Sequence, residues 1–315
     1  MNFLKNKHIL SLQDLDLNEI ISILDLAKLF KKESKIYSSR KLLEGKTLGM
    51  IFQKPSTRTR VSFETGMIQL GGHAIYLGTN DMQLSRGETI EDTARTLSLY
   101  LDCLMARVND HSDLEKLSRY SSIPIINGLS DLFHPCQILA DLLTILEYKK
   151  NFNGLNLAWI GDGFNVCNDL LIGCAKTGIN ITAACPSGYE PPRWIVDLSQ
   201  KEGTKTGSII KITNDPIIAT KEADIVATDT FVSLGKDNEK KIRETIFVPK
   251  YQVNSELMKH AKDDVIFMHC LPAKRGQEVT ADVIDGKSSV VWKEAENRVH
   301  VQKALLYLLM SDDGN

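Results

Sequence analysis

A run of hydroxyl and guanidinium side chains, Ser56-Thr57-Arg58-Thr59-Arg60, has the clearest capacity for chemistry in this sequence. It follows the apolar run 47–52 and opens a stretch with helical spacing, so it lies where a strand ends and a helix begins. Backbone amides at a helix N-terminus carry partial positive charge and bind phosphate, and an arginine adds paired hydrogen bonds. The run therefore predicts a phosphate site, whereas an isolated Ser-Thr-Arg is more often a helix cap beside surface arginines.

Other polar residues stand at similar junctions. Arg107 ends the apolar run 103–107, where a cation is either paired within the protein or directed at a ligand. His134 precedes Pro135, which suits the first turn of a helix, although a single histidine there is often only structural. The amide of Gln137 offers both a donor and an acceptor, so it can accept from an NH2 group as no cation can.

The second half of the chain carries three further motifs. Gly161-Asp162-Gly163-Phe164-Asn165 follows an apolar run but lacks the G-x-G-x-x-G spacing of dinucleotide sites. In the segment 228–235, Asp229 has the charge to hold an ammonium group, and Ser233 and the backbone of Leu234 can donate to a carboxylate. Cys270, in the run 267–272, would by its type alone most often be inert packing.

These motifs require a scaffold in which strands and helices alternate. Two successive blocks of alternation predict an α/β fold: two doubly wound parallel-sheet domains with the active site in the cleft between them. We expect domains at 1–150 and 151–315, with a C-terminal helix at about 294–310 packing back on the first. The charged stretch 236–243 is interpreted as solvated. The predicted strands are 47–52, 74–77, 102–108, 123–126, 155–160, 180–184, 209–212, 224–227, 265–268 and 289–292. The predicted helices include 17–31, 57–70, 89–100, 112–120, 135–149, 166–177, 192–201 and 255–261.

Bulk properties narrow the class of protein. A chain of 315 residues with a formal charge of -2 gives no reason to expect a nucleic-acid or anionic-membrane partner. No stretch approaches the roughly 20 apolar residues needed to cross a bilayer, and the N-terminus lacks the pattern of a secretory signal. The six cysteines show no C-x-x-C pairing, which favours neither zinc nor a disulfide scaffold and suggests a cytoplasmic location.

Four of the motifs resemble those of the aspartate and ornithine carbamoyltransferases, over essentially the whole chain. The phosphate run with Val61-Ser62-Phe63-Glu64 is similar to the S-T-R-T-R motif of that family. His134-Pro135-Cys136-Gln137 resembles its H-P-x-Q signature. His269-Cys270-Leu271-Pro272 and Glu296-Asn297-Arg298 resemble the ornithine branch, whereas aspartate carbamoyltransferases carry H-P-L-P at the first of these places.

The resemblance implies transfer of the carbamoyl group of carbamoyl phosphate to the δ-amino group of L-ornithine, without metal or organic cofactor. It implies a homo-oligomer, a trimer or a multiple of trimers, in which Gln83 reaches a neighbouring subunit's phosphate site. Arg107, His134 and Cys270 are the implied catalytic residues. The implied carbamoyl-phosphate ligands are Ser56, Thr57, Arg58, Thr59, Gln83, Arg107, His134, Gln137, Cys270, Leu271 and Arg298. The implied ornithine ligands are Asn165, Asp229, Ser233 and Leu234.

Departures from the family pattern leave alternatives open. Phe164 stands for Asn, Phe231 for Trp and Leu234 for Met in segments that contact the amino acid in the family. A transcarbamoylase for putrescine or N-acetylornithine would share the first half of the site. A nucleotide-binding dehydrogenase is disfavoured by the missing glycine pattern, and a non-catalytic homologue by the retained donors. The sequence leaves open whether citrulline is made for arginine synthesis or consumed in arginine breakdown.

Overall fold

The computed structural model describes residues 4–33, 41–233 and 235–311. The chain divides into two compact units, one formed by Met1–Leu143 with Glu296–Asn315 and the other by Thr144–Ala295. Each unit contains a parallel sheet with helices in the connections, so the predicted α/β class with two parallel sheets is confirmed. None of the helices in the described ranges is long and apolar enough to cross a membrane.

The first unit is built on a four-stranded sheet. Its strands are β1 (Thr47–Phe52), β2 (His73–Gly78), β3 (Cys103–Arg107) and β4 (Ile125–Leu129). All pairings are parallel, in the order β2-β1-β3-β4. Residues 48–52 of β1 are all buried, as expected for a central parallel strand covered on both faces. The helices up to the end of this block are α1 (Leu17–Lys32), α2 (Thr57–Gln69), α3 (Ile90–Ser98), α4 (His111–Tyr120) and α5 (Pro135–Lys149).

The second unit carries a five-stranded parallel sheet in the order β7-β6-β5-β8-β9. Its strands are β5 (Asn156–Ile160), β6 (Asn180–Ala184), β7 (Ile210–Thr213), β8 (Ile225–Thr228) and β9 (Ile266–His269). The remaining helices are α6 (Asn165–Thr177), α7 (Arg193–Thr206), α8 (Pro216–Thr220), α9 (Lys240–Tyr251), α10 (Ser255–Met258), α11 (Ala281–Ile284) and α12 (Val291–Met310). Its core packs apolar strand residues against Phe231, Phe247 and Phe267.

Local signals place most of these elements. The first helix begins with a capping box, in which the Glu19 amide donates to Asp16 (2.8 Å) and the Asp16 amide donates to Glu19 (2.7 Å). Such reciprocal bonds satisfy amides that have no partner within the helix. Strand β1 and helix α5 have the predicted bounds.

Two predictions in the second half of the chain are wrong. The stretch 236–243, interpreted as solvated, is largely exposed as expected, but the interpretation is wrong for Arg243, which is buried in α9 and donates to Asp162 and to the Phe231 carbonyl. The predicted strand 289–292 is also wrong, since Ser289 forms an isolated bridge to Phe267 and α12 begins at Val291.

Candidate active site

The predicted phosphate site lies where β1 is followed by α2. Ser56 is the N-cap residue of α2, and its hydroxyl oxygen accepts from the Thr59 amide (3.2 Å). Serving as an acceptor leaves the hydroxyl hydrogen able to donate to a bound anion. The amides of the first helical turn have no intrahelical partner, so they can face the same anion. Ser56 can therefore cap α2 and contribute to a phosphate site at the same time.

Strand register explains why separate motifs gather at this edge. Phe52 of β1 pairs with Arg107 of β3, and Arg107 pairs with Leu129 of β4. Because the strands are parallel, their carboxyl ends lie side by side, and each is followed by a motif-bearing loop. The phosphate run, Arg107 and the segment before His134 therefore share one edge of the first sheet.

His134 lies within the field of several cations. It is 4% exposed, and burial lowers its pKa well below the usual 6.5, with Arg298, Arg107 and Arg58 adding to the shift in that order. With its pKa lowered in this way, the imidazole is neutral at neutral pH and can form hydrogen bonds without carrying a charge. The structure thus brings together four predicted ligands from distant parts of the sequence.

Gln137 and Arg298 form a fixed pair inside the first unit. Arg298 donates to the Gln137 amide oxygen (2.6 Å), and the Gln137 amide nitrogen donates to Asp141 (2.8 Å). This series of hydrogen bonds orients the Arg298 guanidinium. Gln137 thus also positions a cation, a role that the sequence pattern did not indicate.

Gln83 differs from the other predicted phosphate ligands. It is exposed and begins the short 3-10 helix Gln83–Arg86 in the connection between β2 and α3. Gly87 follows with a left-handed backbone (φ 95°), and the Gln83 carbonyl accepts from the Glu88 amide (3.1 Å). The loop therefore has a defined backbone. A contact of Gln83 with a neighbouring subunit stays a prediction.

In the second unit, Asp229 and Cys270 meet at the carboxyl ends of neighbouring strands. The Cys270 thiol and the Thr230 amide both donate to Asp229 Oδ1, at 3.1 and 2.6 Å. Potential metal-ligand atoms of Asp229, His269 and Cys270 lie within 4.8 Å of one another. His269 Nδ1, however, accepts from the Leu271 amide (2.9 Å), and Nε2 lies 3.2 Å from Glu278. The His269 ring therefore holds the loop, while the thiol and carboxylate of its neighbours can face a substrate.

Ser233 is joined to a buried ion pair. Its hydroxyl donates to Asp162 Oδ2 (2.9 Å), and Arg243 donates to the same oxygen at 2.5 Å. Burial raises the pKa of the Asp162 carboxyl, and the adjacent guanidinium opposes that shift. Because the Ser233 hydrogen is directed at Asp162, its oxygen presents a lone pair suited to an ammonium group, which changes the expected role of this residue. Leu234 lies outside the described residues.

Two departures from the family pattern fall at different depths. Phe231 is fully buried, with its ring centroid 4.9 Å from that of Phe247, so its substitution for Trp changes the core. Phe164 is half-buried at the N-cap of α6. Asn165 follows it, 4% exposed, with Oδ1 accepting from the Val166 amide (2.9 Å). The contact of Asn165 with the amino acid stays a prediction.

Asp162 and Arg243 were not predicted as functional residues. Asp162 was visible as the acidic residue between two glycines, but Arg243 stands in a charge-rich segment that resembles a solvated surface. The two residues are 81 positions apart in the chain. No spacing rule links residues at that separation, so their pairing is a product of the tertiary structure.

Two family models match the chain. Residues 7–147 match the carbamoyl-P binding domain of aspartate/ornithine carbamoyltransferase, and residues 153–309 match the Asp/Orn binding domain. An ornithine carbamoyltransferase of Pyrococcus horikoshii is 53% identical over 98% of this chain and 96% of its own length. An anabolic ornithine carbamoyltransferase of Pyrococcus furiosus is 52% identical over 98% and 97% of the two chains.

Solved structures give the same picture. The ornithine carbamoyltransferase of Pyrococcus furiosus superposes with a TM-score of 0.93 at 52% identity, covering 98% of each chain. An anabolic ornithine carbamoyltransferase of Campylobacter jejuni has a TM-score of 0.89 at 44% identity, covering 95% of this chain and 97% of its own.

Proposed function

The chain belongs to the aspartate/ornithine carbamoyltransferase family, and from this premise we propose that it transfers the carbamoyl group of carbamoyl phosphate to the δ-amino group of L-ornithine, giving citrulline and phosphate. The observation that carries the proposal is the convergence of Arg58, Arg107 and Arg298 on neutral His134. Relatives named ornithine carbamoyltransferase, 52% to 56% identical over nearly the whole chain, support ornithine as the amine.

The first domain, about 1–150, binds carbamoyl phosphate. The α2 amides with Ser56, Thr57, Arg58 and Thr59 hold the phosphate, which leaves as a dianion stabilised by the same groups. Arg107 and neutral His134 donate to the carbamoyl oxygen as it gains negative charge in the tetrahedral intermediate.

The second domain, about 151–315 except for the C-terminal segment Glu296–Asn315 that belongs to the first unit, binds ornithine. Asp229 and the Ser233 oxygen receive the α-ammonium group, and the Asn165 amide donates to the α-carboxylate. The attacking δ-amine must be neutral, although free alkylammonium groups titrate near ~10.4. Cys270, hydrogen-bonded to Asp229, lies beside these ligands and faces the bound amine. Cys270 and the Leu271 carbonyl also contact the carbamoyl group, whose NH2 needs an acceptor.

We further propose that the enzyme works in the cytoplasm as a homo-oligomer, a trimer or a multiple of trimers, in the citrulline-forming direction. The naming of the Pyrococcus furiosus relative as anabolic supports that direction. The exposed face of α2 supports self-association, since Val61 (54% exposed) and Ile68 (66%) lie there, with Ile75 (46%) exposed on the edge strand β2. A second copy of the chain would cover this apolar surface and receive the Gln83 loop.

Replacing Arg58 with Met tests the phosphate assignment. We expect kcat/KM to fall by at least about 100-fold, the scale of losing one group that stabilises transition-state charge, while the fold is kept. Citrulline formation and circular dichroism measure the two effects. The matched control is Arg95→Met, which removes an exposed arginine paired to Asp92 and should leave activity unchanged. Equal activity of the two variants would refute the assignment.

The identity of the amine is tested with the unmodified enzyme. Initial rates with ornithine, putrescine and N-acetylornithine at saturating carbamoyl phosphate should favour ornithine by orders of magnitude. Ornithine alone has both a free α-ammonium group for Asp229 and a carboxylate for Asn165. A preference for putrescine would exclude these α-group contacts, and a preference for acetylornithine would exclude the contact with Asp229.

A further inference from the structure

A four-residue turn, 130–133, connects β4 to His134 and is organised around one hydroxyl. The Ser130 oxygen accepts from the amides of Leu132 (3.3 Å) and Phe133 (3.2 Å), and the Ser130 amide donates to the Phe133 carbonyl (3.0 Å). Asn127 donates to the same carbonyl (3.2 Å) and to the carbonyl of Leu10 (2.8 Å). The backbone that presents His134 is therefore fixed by hydrogen bonds immediately before it.

His111, the first residue of α4, contacts this turn in three ways. Its ring Nδ1 lies 2.9 Å from the Ser130 hydroxyl oxygen, and its backbone amide donates to Asp131 (2.8 Å). Its ring also packs edge-on against Phe133, with centroids 5.1 Å apart. His111 is 8% exposed, so these contacts are shielded from water. One residue from another element thus contacts three of the four turn residues, two of them through its side chain.

The hydrogen bonds of the Ser130 hydroxyl indicate which nitrogen of the His111 ring carries a hydrogen. A hydroxyl has one hydrogen and two lone pairs, and the Ser130 oxygen already faces the amides of Leu132 and Phe133. Its hydrogen is directed at His111 Nδ1 at 2.9 Å rather than at the more distant Phe133 carbonyl at 3.4 Å. Asn127 Nδ2 also donates to the Ser130 oxygen (3.4 Å), and this group of donors favours Nδ1 as an acceptor, as in the neutral tautomer with its hydrogen on Nε2.

We propose that His111 is a positioning residue for the transfer reaction, which acts through Ser130 to hold His134 against the carbamoyl oxygen and does so only while its ring is neutral. The proposal rests on the carbamoyl-phosphate role given above to His134. It adds a residue that touches no substrate and that belongs to none of the family motifs in the sequence. Protonation would place a further N–H opposite an oxygen that already receives backbone donors, and the turn would lose its anchor.

The groups around His111 determine the pH at which its ring is protonated. Burial lowers the pKa of His111 below 6.5, while the carboxylates of Glu115, Asp131, Asp14 and Asp110 act in the opposite direction. The ring is thus neutral at neutral pH, and the turn keeps its anchor there. The anchor is lost as the pH falls through the lowered pKa.

Binding measurements separate this role from general stability. His111→Phe keeps an aromatic ring against Phe133 but removes the acceptor, whereas His111→Asn supplies a carbonyl oxygen near the position of Nδ1. By calorimetry, His111→Phe should weaken carbamoyl phosphate binding about 10-fold, on the scale of one hydrogen bond between neutral groups, and leave inorganic phosphate binding within about 2-fold. His111→Asn should bind both ligands normally. Equal loss for both ligands, or no loss for either, would overturn the proposal.

Kinetics give a second, independent test. His111→Phe should lower kcat about 10- to 100-fold, the scale of a misplaced catalytic group, but should have less than about 2-fold effect in a His134→Ala background. The ratio of kcat for His111→Asn to that of the wild type should rise as the pH falls from 7 to 5. His260→Phe, at an exposed histidine of the second unit, is the control.

The outcomes distinguish the two proposals. A wild type that binds carbamoyl phosphate without converting ornithine refutes the proposed reaction, and the calorimetric comparison still tests the positioning role. A wild type that converts ornithine, with multiplicative losses for the two histidine variants and a flat pH ratio, refutes the positioning role alone.

Discussion

Arg243 is a residue whose role depends on partners far away in the chain. Its guanidinium donates to Asp162 and to the Phe231 carbonyl, and lies 4.9 Å from the ring centroid of Tyr189. Asp162 precedes the helix that starts at Asn165, and Ser233 bonds to the same carboxylate. The buried pair therefore connects the two segments that we assign to ornithine.

Replacing Arg243 with Met should leave Asp162 buried without its cation. Breaking a buried ion pair on one side destabilises a protein by about 3–5 kcal/mol, so the free energy of unfolding should fall by that amount. The KM for ornithine should rise, with little change in KM for carbamoyl phosphate. Urea denaturation and steady-state kinetics measure these effects.

The control for this residue is Arg193→Met, which breaks an exposed pair with Asp197. Such surface pairs contribute at most about 1 kcal/mol. The double variant Asp162→Asn with Arg243→Met should recover part of the lost stability, because no uncompensated charge remains. Equal stability losses in the Arg243 and Arg193 variants would show that the buried pair has no special role.

At the scale of elements, the junctions between strands and helices carry the proposed site. The junctions after β1, β3 and β4 carry most of the proposed first-unit ligands, with Gln83 after β2 and Arg298 in α12 as the exceptions. The junctions after β5, β8 and β9 carry the proposed second-unit ligands. Parallel strands bring these junctions to one edge of each sheet, which is why residues distant in sequence converge. Short connections also leave little room for added atoms.

Gly163, in the junction between β5 and α6, shows this constraint. A Cβ added there would lie 2.2 Å from the Pro191 nitrogen, and the Gly163 amide donates to the Tyr189 carbonyl (2.8 Å). Gly163→Ala should therefore displace the start of α6 and raise the KM for ornithine at least about 10-fold, because Asn165 moves with it. Steady-state kinetics with each substrate varied measure the effect.

Gly207→Ala is the matched control for that exchange. Gly207 has a left-handed φ of 80°, with no atom within 4 Å of an added Cβ, and it follows α7. The variant should lose roughly 1 kcal/mol of stability through backbone strain alone. Its KM for ornithine should be unchanged. A KM for Gly163→Ala as low as that of the control would contradict the steric explanation.

At the scale of the whole molecule, we expect the exposed apolar face of α2, with Val61 and Ile68, to form the contact between subunits. Light scattering should give a mass of three times 35.2 kDa, about 106 kDa, or a multiple of that value, and Ile68→Glu should lower it by placing a charge in the contact. Activity should fall with the mass if Gln83 completes a neighbouring site. Ile218→Glu, at a residue of similar exposure in the second unit (62% against 66%), should change neither property. A monomeric, active wild type would refute the oligomer.

The sequence by itself determined the family, the motif residues and most element positions, including the bounds of β1 and α5. Those features depend on local patterns: apolar runs, helical spacing, capping residues and short motifs at junctions. The tertiary structure alone decided that Arg243 is buried, that Phe231 lies in the core and that His111 meets Ser130. The physical reason is that the burial of a side chain and the hydrogen bonds it forms depend on residues from distant segments, which only folding brings close to it. The charge and spacing of neighbouring residues in the sequence do not predict these partners.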